Sequence, residues 1–543
     1  MIQPRNKTSP ETRSRKPAFV NYYIEEDYDE VKEKLPEIIR QARIKASQVM
    51  EPTIDEKKQV MEVIKDFIRD KKRKVYGGTA LNETLKAVNP SDAIYDDYFF
   101  SDIEFYSPSP VPDLKELCDI LYHKGYDFVQ GKEAQHEETY SIFVNLQLYC
   151  DVTYVPTRVY NGIKTIEIDG INYVDPHFML IDYLRMINQP LTAAEQRWEK
   201  AFDRMYRLLK NYPIEKYDNS IKFSSIPRDE IVMYMSKIKN EFLKIPIIQD
   251  SCLISGFEAY NFFIKHASSD RNVEQMARTR EKISMLKNFI VNVPFLELIS
   301  VKYKDSVQKL YSYLRDLVVD PSKLSIEEYF PLFQFTGYSV SISYDNIPIV
   351  KVYEADGYCV PDIKTTLGYR YVSFQYLLMT LYINKFRAHL DKNKVMYFNY
   401  GISISNLVRA RNTFLSQNDK GVINDTVFSE FRIGCIGTTI SYSRMSRLRM
   451  LEKKRQGKVI QFVYTPKQYF EQTPEQQENF DASIKRYRFR NTSGNQIPTT
   501  TPKYLLFKID DKGNISEQTS TEEAYLDEDT NSEKSNTSIS SSE

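Results

Sequence analysis

The spacing of apolar residues divides the chain into helical and β-rich stretches. Between residues 27 and 70, apolar side chains recur every three or four positions, which predicts two amphipathic helices separated at Pro52. Thr53 and Glu56 have the spacing of a capping box, so we expect the second helix to begin there. Short β-rich runs follow in residues 74–174, and helical periodicity returns after them. This succession is typical of an α/β or α+β protein.

The same succession of motifs returns later in the chain. The matching segments are 75–82 with 254–261, Ser107 and the helical segment after it with Ser300 and its own, and 170–180 with 368–378. The three matches occur in the same order, which indicates an ancient duplication of about 130 residues.

Charge and cysteine content exclude several classes of protein. The 74 basic and 74 acidic side chains balance, which excludes a uniformly basic nucleic-acid coat protein and an acidic disordered chain. Residues 509–543 contain ten acids and two bases, so the rest of the chain is basic. The five cysteines include no C-x-x-C pair, and we expect neither a zinc finger nor a dense disulfide framework. With no signal peptide and no long apolar segment in view, we expect a soluble protein in a reducing compartment.

A glycine turn and an acidic pair are the first candidates for chemistry. Gly77, Gly78 and Thr79 end a β-run and begin a helix, so their backbone N–H groups could receive a phosphate. Asp102 and Glu104 lie two residues apart in a predicted strand and therefore point to the same face. Adjacent carboxylates repel each other unless a cation neutralises them, and Mg²⁺ is a natural partner.

A third carboxylate completes the set. Asp151 is a single acid within the apolar run LQLYCDVTYV, where an unpaired charge would be costly. Each feature alone has an ordinary explanation: a structural turn, a solvated strand face, or an acid on an edge strand. Their combination and order along the chain indicate a site for metal ions and phosphate.

The order Gly-Gly-Thr, Ser-Asp-Ile-Glu and a later strand Asp resembles the nucleotidyltransferase superfamily of DNA polymerase beta, over residues 75–155. In the motif GGTALN, in its length and in its degenerate second copy, the chain resembles the poly(A) polymerase catalytic subunits of poxviruses and other large DNA viruses, particularly giant viruses of amoebae. That closer resemblance covers about residues 20–490. The 25-residue gap from Gly77 to Asp102 is longer than in small superfamily members and implies an insertion within residues 83–101.

The resemblance implies an α+β fold, in which a nucleotidyltransferase fold is followed by a degenerate nucleotidyltransferase-like domain. The regions expected are a disordered basic N-terminus (1–18), a helical region (19–70), the catalytic domain (71–185), a helical linker (186–248), the degenerate domain (249–390), a mixed region with a basic segment (391–490) and a disordered acidic tail (491–543).

The resemblance also implies roles for the candidate residues. Asp102 and Glu104 would bind two Mg²⁺ or Mn²⁺ ions, and Asp151 would complete the site of the ion that activates an RNA 3′-hydroxyl. The residues implied in binding ATP are Gly77, Gly78, Thr79 and Asn82. For Asn82 a helix-packing role is equally compatible with the sequence.

The second copy departs from this pattern. The residues at the positions that match Gly78, Asp102, Glu104 and Asp151 are Phe257, Phe295, Glu297 and Asp345. A site without its first carboxylate and its second glycine should not bind two metals. We expect this copy to be an inert scaffold that helps to shape the RNA path.

Basic segments are the candidates for RNA contact. The candidates in the segment 440–458 are Arg444, Arg447, Arg449, Lys453, Lys454 and Arg455. Further candidates for phosphate contact are Lys71, Lys72, Arg73, Lys74, Arg185, Arg204 and Arg207. A solvated helix face is the alternative explanation for the segment.

The expected function is template-independent polyadenylation of mRNA 3′ ends, with transfer of AMP from ATP to an RNA 3′-hydroxyl. One alternative is an oligoadenylate or cyclic-dinucleotide synthase, which differs in its acceptor. The other is a non-catalytic RNA-binding processivity subunit, against which the intact triad argues. The expected partners are ATP and an RNA 3′ end, with no membrane; a homodimer and a processivity subunit both stay open. The resemblance implies a location in the host cytoplasm at the viral factory, with the virion as a second expectation.

Overall fold

The computed structural model describes residues 22–50, 52–95, 101–192, 194–217, 220–223, 227–268, 286–457, 461–500 and 504–518. The disorder expected for residues 1–18 and 519–543 lies outside the described residues, and so do residues 96–100 of the predicted insertion. The chain forms two compact units, Met1–Gln59 and Val60–Glu543.

Two long helices begin the described chain. α1 (Glu25–Val49) belongs to the first unit, and α2 (Ile54–Asp70) starts in that unit and ends in the second. The Thr53 N–H donates to the Glu56 carboxylate at 2.6 Å, and the Thr53 hydroxyl accepts from the Glu56 N–H at 3.4 Å. The predicted capping box is therefore present.

The second unit contains two eight-stranded sheets. The first consists of β1 (Lys74–Tyr76), β2 (Ile103–Ser107), β3 (Gln130–Glu133), β4 (Thr139–Val144), β5 (Gln147–Tyr154), β6 (Thr165–Ile168), β7 (Ile171–Val174) and β16 (Val463–Tyr464). The second consists of β8 (Cys252–Ser255), β9 (Leu296–Ser300), β10 (Leu324–Tyr329), β11 (Ser339–Tyr344), β12 (Ile347–Glu354), β13 (Val360–Lys364), β14 (Arg370–Val372) and β15 (Cys435–Ile436). A separate hairpin is formed by β17 (Phe507–Ile509) and β18 (Ile515–Glu517).

Helices cover and connect the sheets. They are α3 (Gly77–Val88), α4 (Pro110–His123), α5 (Thr157–Gly162), α6 (Pro176–Ile187), α7 (Trp198–Asn211), α8 (Asp229–Asn240), α9 (Pro246–Gln249), α10 (Gly256–Ala267), α11 (Tyr303–Leu317), α12 (Phe374–Leu390), α13 (Lys394–Gln417), α14 (Tyr442–Arg455), α15 (Pro466–Phe470) and α16 (Pro474–Lys485). Short 3-10 turns lie at Pro90–Asp92, Ala194–Arg197, Phe242–Lys244 and Pro321–Lys323. Among the described helices, none is long and apolar enough to cross a membrane.

The two sheets have the same topology, which confirms the mixed α+β fold with a second nucleotidyltransferase-like copy. The strand order β3-β4-β5-β2-β1-β7-β6 in the first corresponds to β10-β11-β12-β9-β8-β14-β13 in the second. In the first sheet, β1 runs antiparallel to β2 and parallel to β7. In the second, β8 runs antiparallel to β9 and parallel to β14. The C-terminal region extends each sheet, because β16 joins β3 and β15 joins β13.

Both copies begin their first helix with a glycine in the left-handed backbone region. The φ angle is 69° at Gly77 and 58° at Gly256. A Cβ atom on Gly77 would overlap the carboxylate of Glu104, and one on Gly256 would overlap the carboxylate of Glu297. The glycine is therefore required twice over, for its conformation and for the close approach of a carboxylate.

The end of the described chain departs from expectation. Residues 491–500 and 504–518 pack onto the second copy, whereas residues 491–543 were expected to be disordered. The buried Glu328 carboxylate accepts the backbone N–H groups of Leu506 and Phe507 at 2.8 and 3.2 Å. Leu506 and Phe507, a short apolar run in a polar segment, are thus held by Glu328, which is distant in the sequence.

A disulfide links Cys359 to Cys435, next to the pairing of β13 with β15. The two cysteines lie 76 residues apart, and no sequence spacing predicts their pairing. The bond does not accord with a fully reducing compartment, although it is not a dense disulfide framework.

We expect Gly256→Ala to lower the free energy of unfolding by about 2–5 kcal/mol, because left-handed strain adds to the overlap with the buried Glu297. The matched control is Gly125→Ala, at φ 90° with open space around it, which should cost only about 1–2 kcal/mol. Denaturant unfolding of both variants measures the difference. Equal losses would show that the carboxylate does not constrain Gly256.

Candidate active site

The first sheet brings the three predicted carboxylates together. β2 and β5 are adjacent and parallel, and their register places Glu104 opposite Asp151. Asp102 lies two residues before Glu104, just ahead of the start of β2. All three side chains are half-buried. The arrangement follows from strand alternation, because Ile103 and Phe105 point into the core between them.

Each carboxylate has a donor close at hand. The Ser101 hydroxyl donates to Asp102 at 2.5 Å, and the Ser141 hydroxyl on β4 donates to Asp151 at 2.6 Å. Glu104 accepts the backbone N–H of Gly78 at 3.2 Å. These contacts fix the carboxylates against the beginning of α3.

Burial and neighbouring charge raise the pKa of two of the carboxyl groups. Burial, the charge of Asp102 and that of Asp151 raise the pKa of Glu104 to about 7, against the opposing effects of the Gly78 N–H and the Arg204 charge. Burial, with the Asp102 charge, raises the pKa of Asp151 to about 6, and the Ser141 hydroxyl opposes the shift. The two carboxyl groups thus hold their protons more firmly than free carboxyl groups do.

The donor set fits a hard divalent cation, since three carboxylates supply only oxygen ligands. A divalent cation between these groups would lower the pKa values of Glu104 and Asp151 and keep both carboxylates ionised. Within the described part of the chain, no group of three His, Cys, Asp or Glu side chains is already arranged to hold a metal ion. The metal roles of Asp102, Glu104 and Asp151 thus stay a prediction, which requires the side chains to turn from their present donors.

The glycine turn lies beside positively charged groups from α7. A Cβ atom on Gly78 would lie 3.3 Å from Nη1 of Arg204, whose guanidinium also donates to the Tyr95 hydroxyl at 2.7 Å. Arg204, burial and Arg197 lower the pKa of Lys200 on the same helix. The turn therefore combines the N-terminus of a helix with a guanidinium, as a phosphate site requires.

The Thr79 and Asn82 side chains serve the local structure. The Thr79 hydroxyl donates to the backbone carbonyl of Asp102 at 3.1 Å. Asn82 accepts the backbone N–H groups of Ile94 and Tyr95 at 3.0 and 2.8 Å. Asn261, its counterpart in the second copy, accepts the N–H of Val291 at 3.0 Å. Asn82 thus positions the segment that carries Tyr95, and direct nucleotide contact by Asn82 stays a prediction.

The other basic candidates near the turn are occupied elsewhere. Arg73 pairs with the buried Asp113, and the Lys74 ammonium donates to backbone carbonyls of Tyr160 and Ile163. The remaining partners are Glu116 for Lys71, Gln334 and Asp182 for Arg185, and Asp203 for Arg207. Lys200 was not found from the sequence, where nothing distinguishes it from other lysines on an amphipathic helix.

The second copy has a lysine where the first has its third carboxylate. β9 and β12 are parallel like β2 and β5, and their register places Glu297 opposite Lys351. The match of Asp345 to Asp151 is therefore wrong. Asp345 lies in the two-residue turn between β11 and β12, with φ 52°, and pairs with Arg228. The sequence YDNIP already indicates a turn at Asp345, but the position opposite Glu297 depends on strand register, which is not visible in the sequence.

Glu297 has become a structural side chain. Its Oε1 accepts from the Tyr353 hydroxyl at 3.2 Å and from the Asn384 amide at 3.0 Å, and burial raises its pKa. The Lys351 ammonium lies over the rings of Phe295 and Tyr329, at 5.1 and 5.7 Å from their centroids. A cation in place of a carboxylate repels a divalent ion, so this copy lacks the charge for a metal site.

The predicted RNA-binding residues of α14 divide into two groups. Arg449 and Lys453 hold the helix against the β3 strand and its following loop, through the Gln135 carbonyl and the Glu133 carboxylate. Arg449, Lys453 and Arg455 line a large cleft. The residues on the outer side are Arg444, Arg447 and Lys454. RNA contact by all six stays a prediction.

A glycine turn beside three carboxylates, two on adjacent strands and one just ahead of a strand, defines the protein as a nucleotidyltransferase. The family model described as "Poly(A) polymerase catalytic subunit" matches residues 62–193. A second model, described as "APMV, Putative poly(A) polymerase, catalytic subunit, C-terminal", matches residues 229–509.

Relatives match over most of the chain. One from Acanthamoeba polyphaga mimivirus, named "Putative poly(A) polymerase catalytic subunit", is 63% identical over 95% of this chain and 90% of its own length. A relative of the same name from African swine fever virus (strain Badajoz 1971 Vero-adapted) is 30% identical over 37% of this chain and 39% of its own. The crystal structure of the Megavirus polyadenylate synthase is similar with a TM-score of 0.89 and 76% identity, over 95% of this chain and all of that one.

The chain belongs to the family of viral poly(A) polymerase catalytic subunits. It is accordingly an enzyme of the polynucleotide adenylyltransferase class. Membership implies ATP as substrate, RNA as acceptor and a divalent metal ion.

We expect Arg204→Gln to raise the KM for ATP by about 10- to 100-fold, the effect of one lost charge-assisted hydrogen bond of about 1.5–3 kcal/mol. The matched control is Arg207→Gln on the same helix, whose side chain contacts Asp203 and the backbone carbonyls of Asp92 and Ala93. The control should lower thermal stability and leave this KM unchanged. Steady-state kinetics with saturating RNA measures both. A similar KM in the two variants would exclude Arg204 from the nucleotide site.

Proposed function

We propose that this enzyme adds adenylates to RNA 3′ ends without a template, with Asp102, Glu104 and Asp151 as the ligands of two Mg²⁺ or Mn²⁺ ions. The observation that supports this most is the register of β2 on β5, which places Glu104 opposite Asp151 within reach of the charge of Asp102. The same face receives the N-terminus of α3 through the contact between Gly78 and Glu104. Nucleotide phosphates and metal ligands thus meet at one place.

The residues of the chain have separate tasks in this proposal. The N–H groups at the start of α3 and the Arg204 guanidinium would hold the triphosphate. The three carboxylates would turn from their present donors to hold the metal ions, which would supply Lewis acidity at the attacking hydroxyl and at the phosphates. Gly77 allows Glu104 to approach the turn, so the two halves of the site are held in register.

The duplication supplies the test, because Glu104 and Glu297 occupy matching places in the two copies. The assay incubates labelled RNA with Mg²⁺ or Mn²⁺ and each nucleoside triphosphate separately. We expect Glu104→Gln to lower ATP-dependent tailing by at least about 100-fold, since a catalytic metal supplies several kcal/mol. Glu297→Gln should tail like the wild type, because Lys351 lies opposite Glu297 where a third carboxylate would be needed, and the amide oxygen can still accept from Tyr353 and Asn384.

Two results would contradict the proposal. Equal activity of Glu104→Gln and the wild type would exclude the first copy as the active site. Extension of free nucleotides in place of RNA would assign the oligoadenylate or cyclic-dinucleotide chemistry. An inactive wild type that still binds RNA would point to the non-catalytic processivity role.

A further inference from the structure

Residues 486–490 read Arg-Tyr-Arg-Phe-Arg, directly after α16. Exposed and less exposed side chains alternate along it: Arg486 and Arg488 are exposed, Tyr487 is half-buried and Phe489 is buried. The Phe489 ring stacks on Tyr154 of β5 at a centroid distance of 4.3 Å. The aromatic side chains therefore fix this segment to the first sheet, while Arg486 and Arg488 face away from it.

The segment lines a cleft of about 2110 Å³. Other residues that line it come from α14, from the loop after β3 and from the segment 331–337. Small-molecule sites usually occupy about 300–1,000 Å³, so this cleft is better suited to a polymer. It is also lined by Ser255 and Glu297 of the second copy, which places the inert site on its wall.

Several acids that line the cleft pair with cations that line it too. The pairs are Glu133 with Lys453, Glu137 with Arg449, and Glu452 with Arg455. Burial raises the pKa of Glu138 to about 8. Arg486 and Arg488 are exposed on the same cleft, and arginine keeps its charge over this pH range.

Two further arginines line the cleft, Arg185 and Arg449. Burial and neighbouring guanidinium groups, these two among them, lower the pKa of His136, which also lines the cleft. The cleft wall thus carries arginines from α6 and α14 as well as from residues 486–490.

We propose that this cleft holds the single-stranded RNA behind its 3′ end, with the phosphates against Arg486 and Arg488. The inference rests on the proposed function and adds the route of the acceptor strand. Arg486, at the end of α16, and Arg488 lie two residues apart and are both exposed, so their guanidinium groups can contact neighbouring phosphates. Contacts of this kind are independent of base sequence, which suits a growing tail.

The test is RNA affinity of the double variant Arg486→Gln/Arg488→Gln in the full chain. We expect the Kd for labelled oligoadenylate, from fluorescence anisotropy, to rise at least about 100-fold, the effect of two lost charge-assisted contacts. The slope of log K against log salt concentration should fall by about 1.4, since single strands contribute about 0.7 per phosphate. The control is Lys420→Gln/Lys512→Gln, which removes the same charge from exposed positions outside the cleft. In the Arg486→Gln/Arg488→Gln variant, the KM for ATP and the melting temperature should stay at wild-type values.

The outcomes separate this inference from the proposed function. If the cleft variant and the control bind RNA equally well, the route is wrong, whereas loss of tailing in Glu104→Gln would still support the catalytic site. Crosslinking of wild-type enzyme to RNA with a photoreactive base gives a second readout that requires no variant. Crosslinks in residues 486–490 would support the route, and crosslinks confined to other surfaces would overturn it.

Discussion

The close packing of one carboxylate against a glycine turn is the constraint on which the site depends. Glu104 lies beneath Gly77 and accepts the N–H of Gly78, so the strand that carries the acids and the helix that faces the phosphates are fixed to each other. A side chain at Gly77 would separate them. The cost of this packing is a partly buried acid beside two others, which explains the raised pKa of Glu104. The proposed cations would offset that charge.

The second copy shows which parts of this arrangement serve the fold. It retains the glycine with left-handed backbone, the buried glutamate and the asparagine of the first helix, at Gly256, Glu297 and Asn261. It has replaced the other two acids by Phe295 and Lys351. The retained residues are those that hold strand, turn and helix together, and the replaced ones are those that would bind metal. The same fold therefore persists without the charge that chemistry requires.

Much of this could be predicted from the sequence, because local patterns carry it. The capping box at Thr53, the alternation in Ser-Asp-Ile-Glu-Phe and the order of the repeated segments all depend on neighbouring residues. The errors concern relations between distant residues. The position of Lys351 opposite Glu297 depends on strand register. The packing of the segment after residue 491 depends on its hydrogen bonds to Glu328. The position of Arg486 and Arg488 on a cleft depends on packing of the C-terminal region against the first sheet.

The central claim is that the triad binds metal ions and that the second copy does not. The most direct measurement is a crystal structure with Mn²⁺ and a non-hydrolysable ATP analogue, with anomalous scattering to locate the ions. The account predicts anomalous peaks bounded by Asp102, Glu104 and Asp151, with the triphosphate at Gly77 and Gly78, and none between Glu297 and Lys351. Peaks at the second copy, or an analogue bound with no metal at the triad, would contradict it.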